Sequence, residues 1–150
     1  MKLKNYTSTV NPEKSISEIE RFLVEAGASH IAKTYKNGET VGIIFQMPIP
    51  NSGNLLFKLP AKTEAVLELF LAEMKRPHRN TRKKLTDQAG RTAWRILRDW
   101  VYAQVSMILL NQAERVEVFL PYLYDGKTDE TFYRKIAAGG FKMLRAANQP

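Results

Sequence analysis

The segment from Thr86 to Gln112 constrains the fold most strongly, because its residues repeat at the spacing of one long helix. Thr86 is a residue type that favours the start of a helix. At 100° per residue, one side of this segment is apolar with one polar member, which predicts the side that faces a core. That side consists of Ala89, Ala93, Ile96, Leu97, Trp100, Gln104 and Met107.

The opposite side of the same predicted helix carries Arg91, Arg95, Arg98 and Tyr102. Arginine presents a planar fork that matches phosphate oxygens, and a tyrosine ring can stack on a nucleobase. Trp94 lies beside this stripe and is either a boundary residue of the core or an exposed stacking platform. The stripe predicts a surface for single-stranded nucleic acid, and a merely solvated helix face is the alternative.

Positive charge is concentrated in the same region of the chain. The formal net charge is +8, and residues 75–100 alone carry nine basic against two acidic residues. The stretch 76–84 has almost no apolar content and is predicted to be a mobile basic loop. Its candidate phosphate-binding residues are Arg76, Arg79, Arg82, Lys83 and Lys84. A basic block of this kind is typical of proteins that bind polyanions.

The first half of the chain predicts a small antiparallel sheet with helices. Residues 5–10 read as a strand, and a helix follows that starts at Ser15 in a capping box or, alternatively, at Asn11 before Pro12. Strands are predicted at 29–35, 40–46 and 55–59, with a hairpin at Asn37-Gly38 and a proline-containing loop at 47–53. A helix over 65–74 completes a β-α-β-β-β-α order, which indicates an α+β fold with the helices on one face of the sheet.

The second half predicts helices only. After the long helix, residues 116–124 are apolar but contain Pro121, which indicates a short helix or turn. A final helix is predicted over 131–144, weakened by two adjacent glycines, and the tail 145–150 is expected to be frayed. No domain boundary is visible, so residues 1–150 are predicted to form a single domain.

The composition argues against most catalytic chemistry. The chain has no cysteine and only two histidines, and it shows no metal-ligand spacing and no glycine-rich phosphate loop. We therefore expect neither an enzyme nor a bound cofactor. No signal-peptide pattern or membrane-spanning apolar stretch is present, so a soluble cytoplasmic protein without a membrane partner is expected. Tyr6, Tyr35 and Phe45 lie on predicted strands, where aromatic rings either stack on bases or pack into the core.

Five stretches of the chain resemble a known group of sequences. They are NYTSTV, SISEIERFLVEAGA, LLFKLPAKTEAV, QAGRTAWRILRDWVYAQ and EVFLPY, and the resemblance spans residues 5–124. They are similar to a family of small, largely uncharacterised proteins encoded by bacteriophages and prophages. The resemblance implies a phage context, in which small replication, recombination and anti-defence proteins are common, but it carries over no functional residue.

Three functions are compatible with these patterns. The first is binding of single-stranded DNA or RNA in phage replication or recombination, in the cytoplasm of the host cell. The second is an inhibitor or adaptor that docks a basic face on an acidic host protein. The third is a structural homo-oligomer in which the charge is incidental.

Overall fold

The computed structural model describes residues 1–76 and 78–146, and its secondary structure confirms the predicted α+β class. The elements are α1 (Pro12–Glu25), β1 (His30–Lys36), β2 (Glu39–Ile49), β3 (Gly53–Pro60), α2 (Thr63–Ala72), α3 (Arg79–Leu109), α4 (Arg115–Phe119), a 3-10 turn (Leu120–Tyr122), β4 (Tyr124–Asp125), β5 (Glu130–Thr131), α5 (Phe132–Ala138) and α6 (Lys142–Ala146).

Strands β1, β2 and β3 form an antiparallel sheet in that order. The predicted hairpin is confirmed: Asn37 and Gly38 both have positive φ, as a tight turn between Lys36 and Glu39 requires. The loop predicted at 47–53 is wrong in its first half, because β2 continues through Pro48 to Ile49. Pro48 is tolerated there because the pairing of β1 with β2 ends at His30 and Gln46. Beyond Gln46, strand β2 is paired with β3 only.

One core joins α1, the sheet, α3 and α4. The buried side chains of β2 and β3 alternate along each strand, and Phe45 stacks on Phe57 with ring centroids 5.3 Å apart. Phe119 from α4 packs edge-on against Phe45 at 5.2 Å, which seats the short α4 on the sheet. A second, smaller cluster fixes α2 against α3 through Val66, Ala89 and Ala93.

Residues 5–10 form no strand: residues 4–7 make a turn, and an irregular segment follows it to α1. Their carbonyl groups accept hydrogen bonds from side chains of α3 and need no neighbouring strand: Gln88 Nε2 donates to Tyr6 O and Ser8 O, and Thr92 Oγ1 donates to Asn5 O. The first helix begins at Pro12, with the Asn11 side chain accepting from Glu13 N, so the alternative start is the correct one.

The long helix begins seven residues before Thr86. Thr86 does not cap it, because its hydroxyl donates back to Arg82 O at 2.9 Å within the helix. The predicted mobile loop at 76–84 is therefore wrong for residues 79–84, and residue 77 lies outside the described residues. Arginine and lysine are good helix formers, and each added residue gains one backbone hydrogen bond, so apolar periodicity is not needed to extend a helix.

The core-facing side of α3 also differs from the prediction. Its buried residues are Ala89, Thr92, Ala93, Trp94, Val101 and Val105, whereas Trp100 is half-buried against Phe119 and Tyr122. At the C-terminal end the predicted helix is divided by Gly139 and Gly140 into α5 and α6. Arg145 is still helical, which contradicts fraying there, while residues 147–150 of the predicted tail lie outside the described residues.

Trp94 is the largest fully buried side chain of the fold, with 2 % exposure. We expect Trp94→Ala to lower the free energy of unfolding by about 3–5 kcal/mol, because it leaves a cavity at the centre of α3. Leu109→Ala, at an exposed position near the end of the same helix, should change it little. Urea unfolding of the two variants measures the difference, and equal losses would contradict the burial described here.

Candidate nucleic-acid interface

The basic residues before and at the start of α3 form an exposed cluster. It comprises Lys75, Arg76, Arg79, Arg82, Lys83 and Lys84, here called the basic helix start, and no acidic residue interrupts this stretch. Within residues 1–76 and 78–146, none of the six makes an ion pair. Their charge is balanced by no carboxylate in contact with them.

The local electrostatics of this helix end are unfavourable without an anion. The first turn of α3 holds no acidic residue, and the N-cap residue His78 provides no side-chain hydrogen bond. The free amide groups at a helix N-terminus carry partial positive charge, which the cations beside them reinforce. A bound anion would relieve both sources of repulsion.

Arg82 is exposed because α3 extends past the core at this end. Ala89 and Ala93 lie seven and eleven residues further along, on the same side of the helix, and both are buried. Helix α2 packs against α3 at Ala89 and Ala93, further along the helix than Arg82. The first two turns of α3 therefore present cations on a protruding helix end.

The arginine stripe predicted as a solvent face is instead an interface between helices. Glu18 of α1 accepts hydrogen bonds from Arg95 Nη1 and Arg98 Nε, both at 2.8 Å. The exposed fraction of the side chain is 20 % for Glu18, 22 % for Arg95 and 19 % for Arg98. Arg95 and Arg98 are thus bound to a carboxylate of the protein itself and do not form the free solvent face that the stripe predicted.

Asp99 extends this ion cluster to the N-terminal segment. It accepts from Arg98 Nη1 at 3.1 Å, from Asn5 Nδ2 at 2.9 Å and from the Lys4 ammonium. Burial alone would raise the pKa of Glu18 and of Asp99, but the hydrogen bonds and positive charges around them lower both values below the ordinary ones. Both carboxylates are therefore held ionised.

The two aromatic candidates also belong to the fold. Trp94 is buried, so the reading as a stacking platform is wrong and the reading as a core residue is correct. Tyr102 remains 52 % exposed, but its ring lies 5.2 Å from that of Phe22 and 5.1 Å from the Arg98 guanidinium. The same guanidinium lies 5.1 Å from the Phe22 ring, so Tyr102 covers a cation–aromatic contact.

The Arg91 side chain is also hydrogen-bonded within the protein. Its Nε donates to Ser8 O at 3.1 Å and its Nη2 donates to Gln88 Oε1 at 2.6 Å. Sequence reasoning missed the distant partners of the three arginines, because Glu18 and Ser8 lie about 80 residues away from them in the chain. No local pattern could have indicated these contacts.

The structure thus divides the predicted site residues into two groups. Arg91, Trp94, Arg95, Arg98 and Tyr102 pack against the rest of the protein, whereas Arg76, Arg79, Arg82, Lys83 and Lys84 remain exposed and without ion pairs in the described part of the chain. The exposed group is the candidate interface.

The described ranges contain neither a metal-binding cluster nor a membrane-spanning helix. No group of histidine and acidic side chains there is arranged to hold a metal ion. No helix there, α3 included, combines the length and the hydropathy needed to cross a bilayer. No known protein family, curated protein or solved structure matches this chain.

Because folding lowers the pKa values of Glu18 and Asp99, these groups bind protons more weakly in the folded state than in the unfolded chain. Their stabilisation is complete above the unfolded values and is lost as the pH falls through the folded ones. The free energy of unfolding should therefore decrease as the pH drops below about 4.5.

Glu18→Gln should be less stable at pH 7 and show a shallower decrease of the free energy of unfolding in acid. Glu68→Gln, on the exposed side of α2, should follow the parent. A parental pH profile for Glu18→Gln would contradict the cluster.

Removal of Arg98 should be destabilising, since it leaves Glu18 and Asp99 with fewer partners and uncovers Phe22. We expect Arg98→Ala to lower the free energy of unfolding by about 2 kcal/mol. Arg79→Ala, at the exposed start of the same helix, should have little effect. Chemical denaturation at pH 7 compares the two variants. An unchanged free energy of unfolding in Arg98→Ala would contradict a stabilising role of Arg98 in the contact between α1 and α3.

Proposed function

We propose that the protein binds nucleic acid through its phosphate backbone, with the basic helix start as the contact surface. The observation that supports this most directly is the set of six exposed cations without ion pairs in the described residues, gathered before and along the first two turns of one helix. The arginines further along α3, by contrast, are engaged by groups of the protein itself: Arg95 and Arg98 by Glu18, and Arg91 by Ser8 O and Gln88. In the described residues, the basic helix start is the densest run of exposed cations without ion pairs.

The chemistry of these residues suits phosphate. Arginine offers a two-pronged hydrogen-bonding fork and lysine a compact charge, and the free amides of a helix N-terminus also favour anions. Such contacts fix a polynucleotide on the surface without reading its bases. The ligand of this surface is accordingly a polyanion recognised by its backbone.

The resemblance to phage-encoded sequences suggests the setting. A replication or recombination intermediate in the host cytoplasm is the proposed ligand, and binding does not require an enzymatic activity of this chain. An acidic host protein would have to offer the same density of negative charge, and the experiment below distinguishes it from nucleic acid.

The test compares two triple variants that each lose three positive charges. Arg82→Ala/Lys83→Ala/Lys84→Ala removes half of the basic helix start, and Lys127→Ala/Arg134→Ala/Lys142→Ala removes exposed cations near α5 and α6. We expect the first variant to bind oligonucleotides at least about tenfold more weakly at low salt, and the second to bind nearly as the parent does. Fluorescence anisotropy with labelled oligonucleotides measures both.

The salt dependence identifies the contacts. About four phosphate contacts should give a log–log slope of affinity against salt near −3 on single strands, and the first triple variant should reduce it by about two units. Equal losses in the two variants would mean that only net charge matters. Absence of binding to any polynucleotide at micromolar protein and low salt would refute the proposal and leave the acidic protein partner.

A further inference from the structure

A cleft of about 630 Å³ lies beside the basic helix start. Its walls come from the start of α1, the β1–β2 hairpin and α3, and its lining includes Asn11, Lys33, Tyr35, Thr86, Arg91 and Trp94. This volume lies within the range typical of sites for small organic groups. The sequence did not indicate the cleft, because its walls lie far apart along the chain.

Tyr35 is the notable residue of this cleft. It is 65 % exposed, and among the described residues its ring packs on no other aromatic ring and its hydroxyl makes no hydrogen bond. The register of β1 against β2 shifts between Thr34 and Tyr35. Such irregularities redirect the side chain that follows them. The Tyr102 ring contacts Phe22 and Arg98, whereas no ring or cation–aromatic contact involves Tyr35 in the part of the chain that the structure describes.

The charges of the cleft disfavour phosphate inside it. Glu13, Glu39 and Asp87 line it and form no ion pair with any described residue. Its two cations are already engaged: Lys33 binds Glu20 at 2.7 Å, and Arg91 binds Ser8 O and Gln88. The partners of Arg91 are neutral, so its charge is the one positive charge of the lining that no carboxylate balances among the described residues. It faces three carboxylates, so the cleft carries a net negative charge that repels an anion.

The remaining lining suits a flat, uncharged group with polar edges. Four threonines contribute to the cleft, and a threonine hydroxyl can both donate and accept a hydrogen bond. That of Thr86 donates to Arg82 O and can only accept from a ligand, and Asn11 adds an amide. A nucleobase has this combination of an aromatic face and hydrogen-bonding edges. The lining therefore fits a base and excludes the phosphate attached to it.

The cleft and the basic helix start are adjacent on α3. Thr86 and Asp87 line the cleft, and Lys83 and Lys84 lie three residues earlier. Three residues of helix span about 4.5 Å, so a strand whose phosphates lie on the lysines passes the mouth of the cleft. The adjacency joins a surface for phosphates to a recess for a base.

We infer that this cleft accepts an unpaired nucleobase of a single strand, stacked on the Tyr35 ring, while neighbouring phosphates lie on the basic helix start. The inference rests on the proposed function and adds a preference for single strands to it. In a duplex the bases are paired and stacked inside, so the cleft contributes nothing to duplex binding.

The experiment uses Tyr35→Ala, Tyr35→Phe and, as a matched control, Tyr133→Ala, which removes an exposed tyrosine on α5. Affinities for a mixed-sequence single strand and for the duplex of equal length are measured at two salt concentrations, after thermal unfolding shows that each variant is folded. Tyr35→Ala should weaken single-strand binding roughly tenfold, with an unchanged salt slope and unchanged duplex affinity. Tyr35→Phe and Tyr133→Ala should bind as the parent does.

Several outcomes would overturn the inference and leave the proposed function standing. One is a Tyr35→Ala variant that binds the single strand as tightly as the parent does. Another is a Tyr35→Ala variant whose affinity falls equally for single strand and duplex. The third is a Tyr133→Ala variant that loses as much single-strand affinity as Tyr35→Ala. A loss in Tyr35→Ala accompanied by a reduced salt slope would also overturn it, because the residue would then act on phosphate contacts. Failure of the proposed function is distinguishable, since the parent protein would then bind neither form.

Discussion

The fold depends on one carboxylate, Glu18, which binds two arginines of α3 at once. This contact attaches α1 to the middle of the longest helix, and Asp99 continues the cluster to Asn5 and Lys4. Ion pairs of this kind must satisfy most of their hydrogen-bonding capacity, because a partly buried charge without partners is costly. The Arg98 guanidinium meets this demand with two carboxylates and two aromatic rings.

The same cluster decides which basic residues are available to a ligand. The chain concentrates its positive charge in one block, but Arg95 and Arg98 are ion-paired with Glu18 of α1, and Arg91 is hydrogen-bonded to the N-terminal segment. What remains is the end of α3 that extends past the core. The basic residues form one block in the sequence. In the fold, some of them bind other parts of the protein and the others are exposed.

Elements of the fold whose signals come from neighbouring residues could be predicted from the sequence. The Asn37-Gly38 turn, the three strands of that sheet and the presence of helix α1 were predicted, because each follows from residues that are close in sequence. The strand at 5–10, the start of α3 and the solvent-facing arginines were not. In each of those cases the deciding partners lie elsewhere: Gln88 and Thr92 for the N-terminal turn, and Glu18 for the arginines.

The sequence by itself determined the α+β class, the hairpin and the position of the positive charge along the chain, since these depend on residue types and short-range periodicity. The tertiary structure alone decided which of the charges are neutralised, that Trp94 is core and Tyr35 is not, and that a cleft lies beside the basic helix start. The physical reason is range. Backbone preferences act over a few residues, whereas burial and ion pairing depend on which distant segments the fold brings into contact.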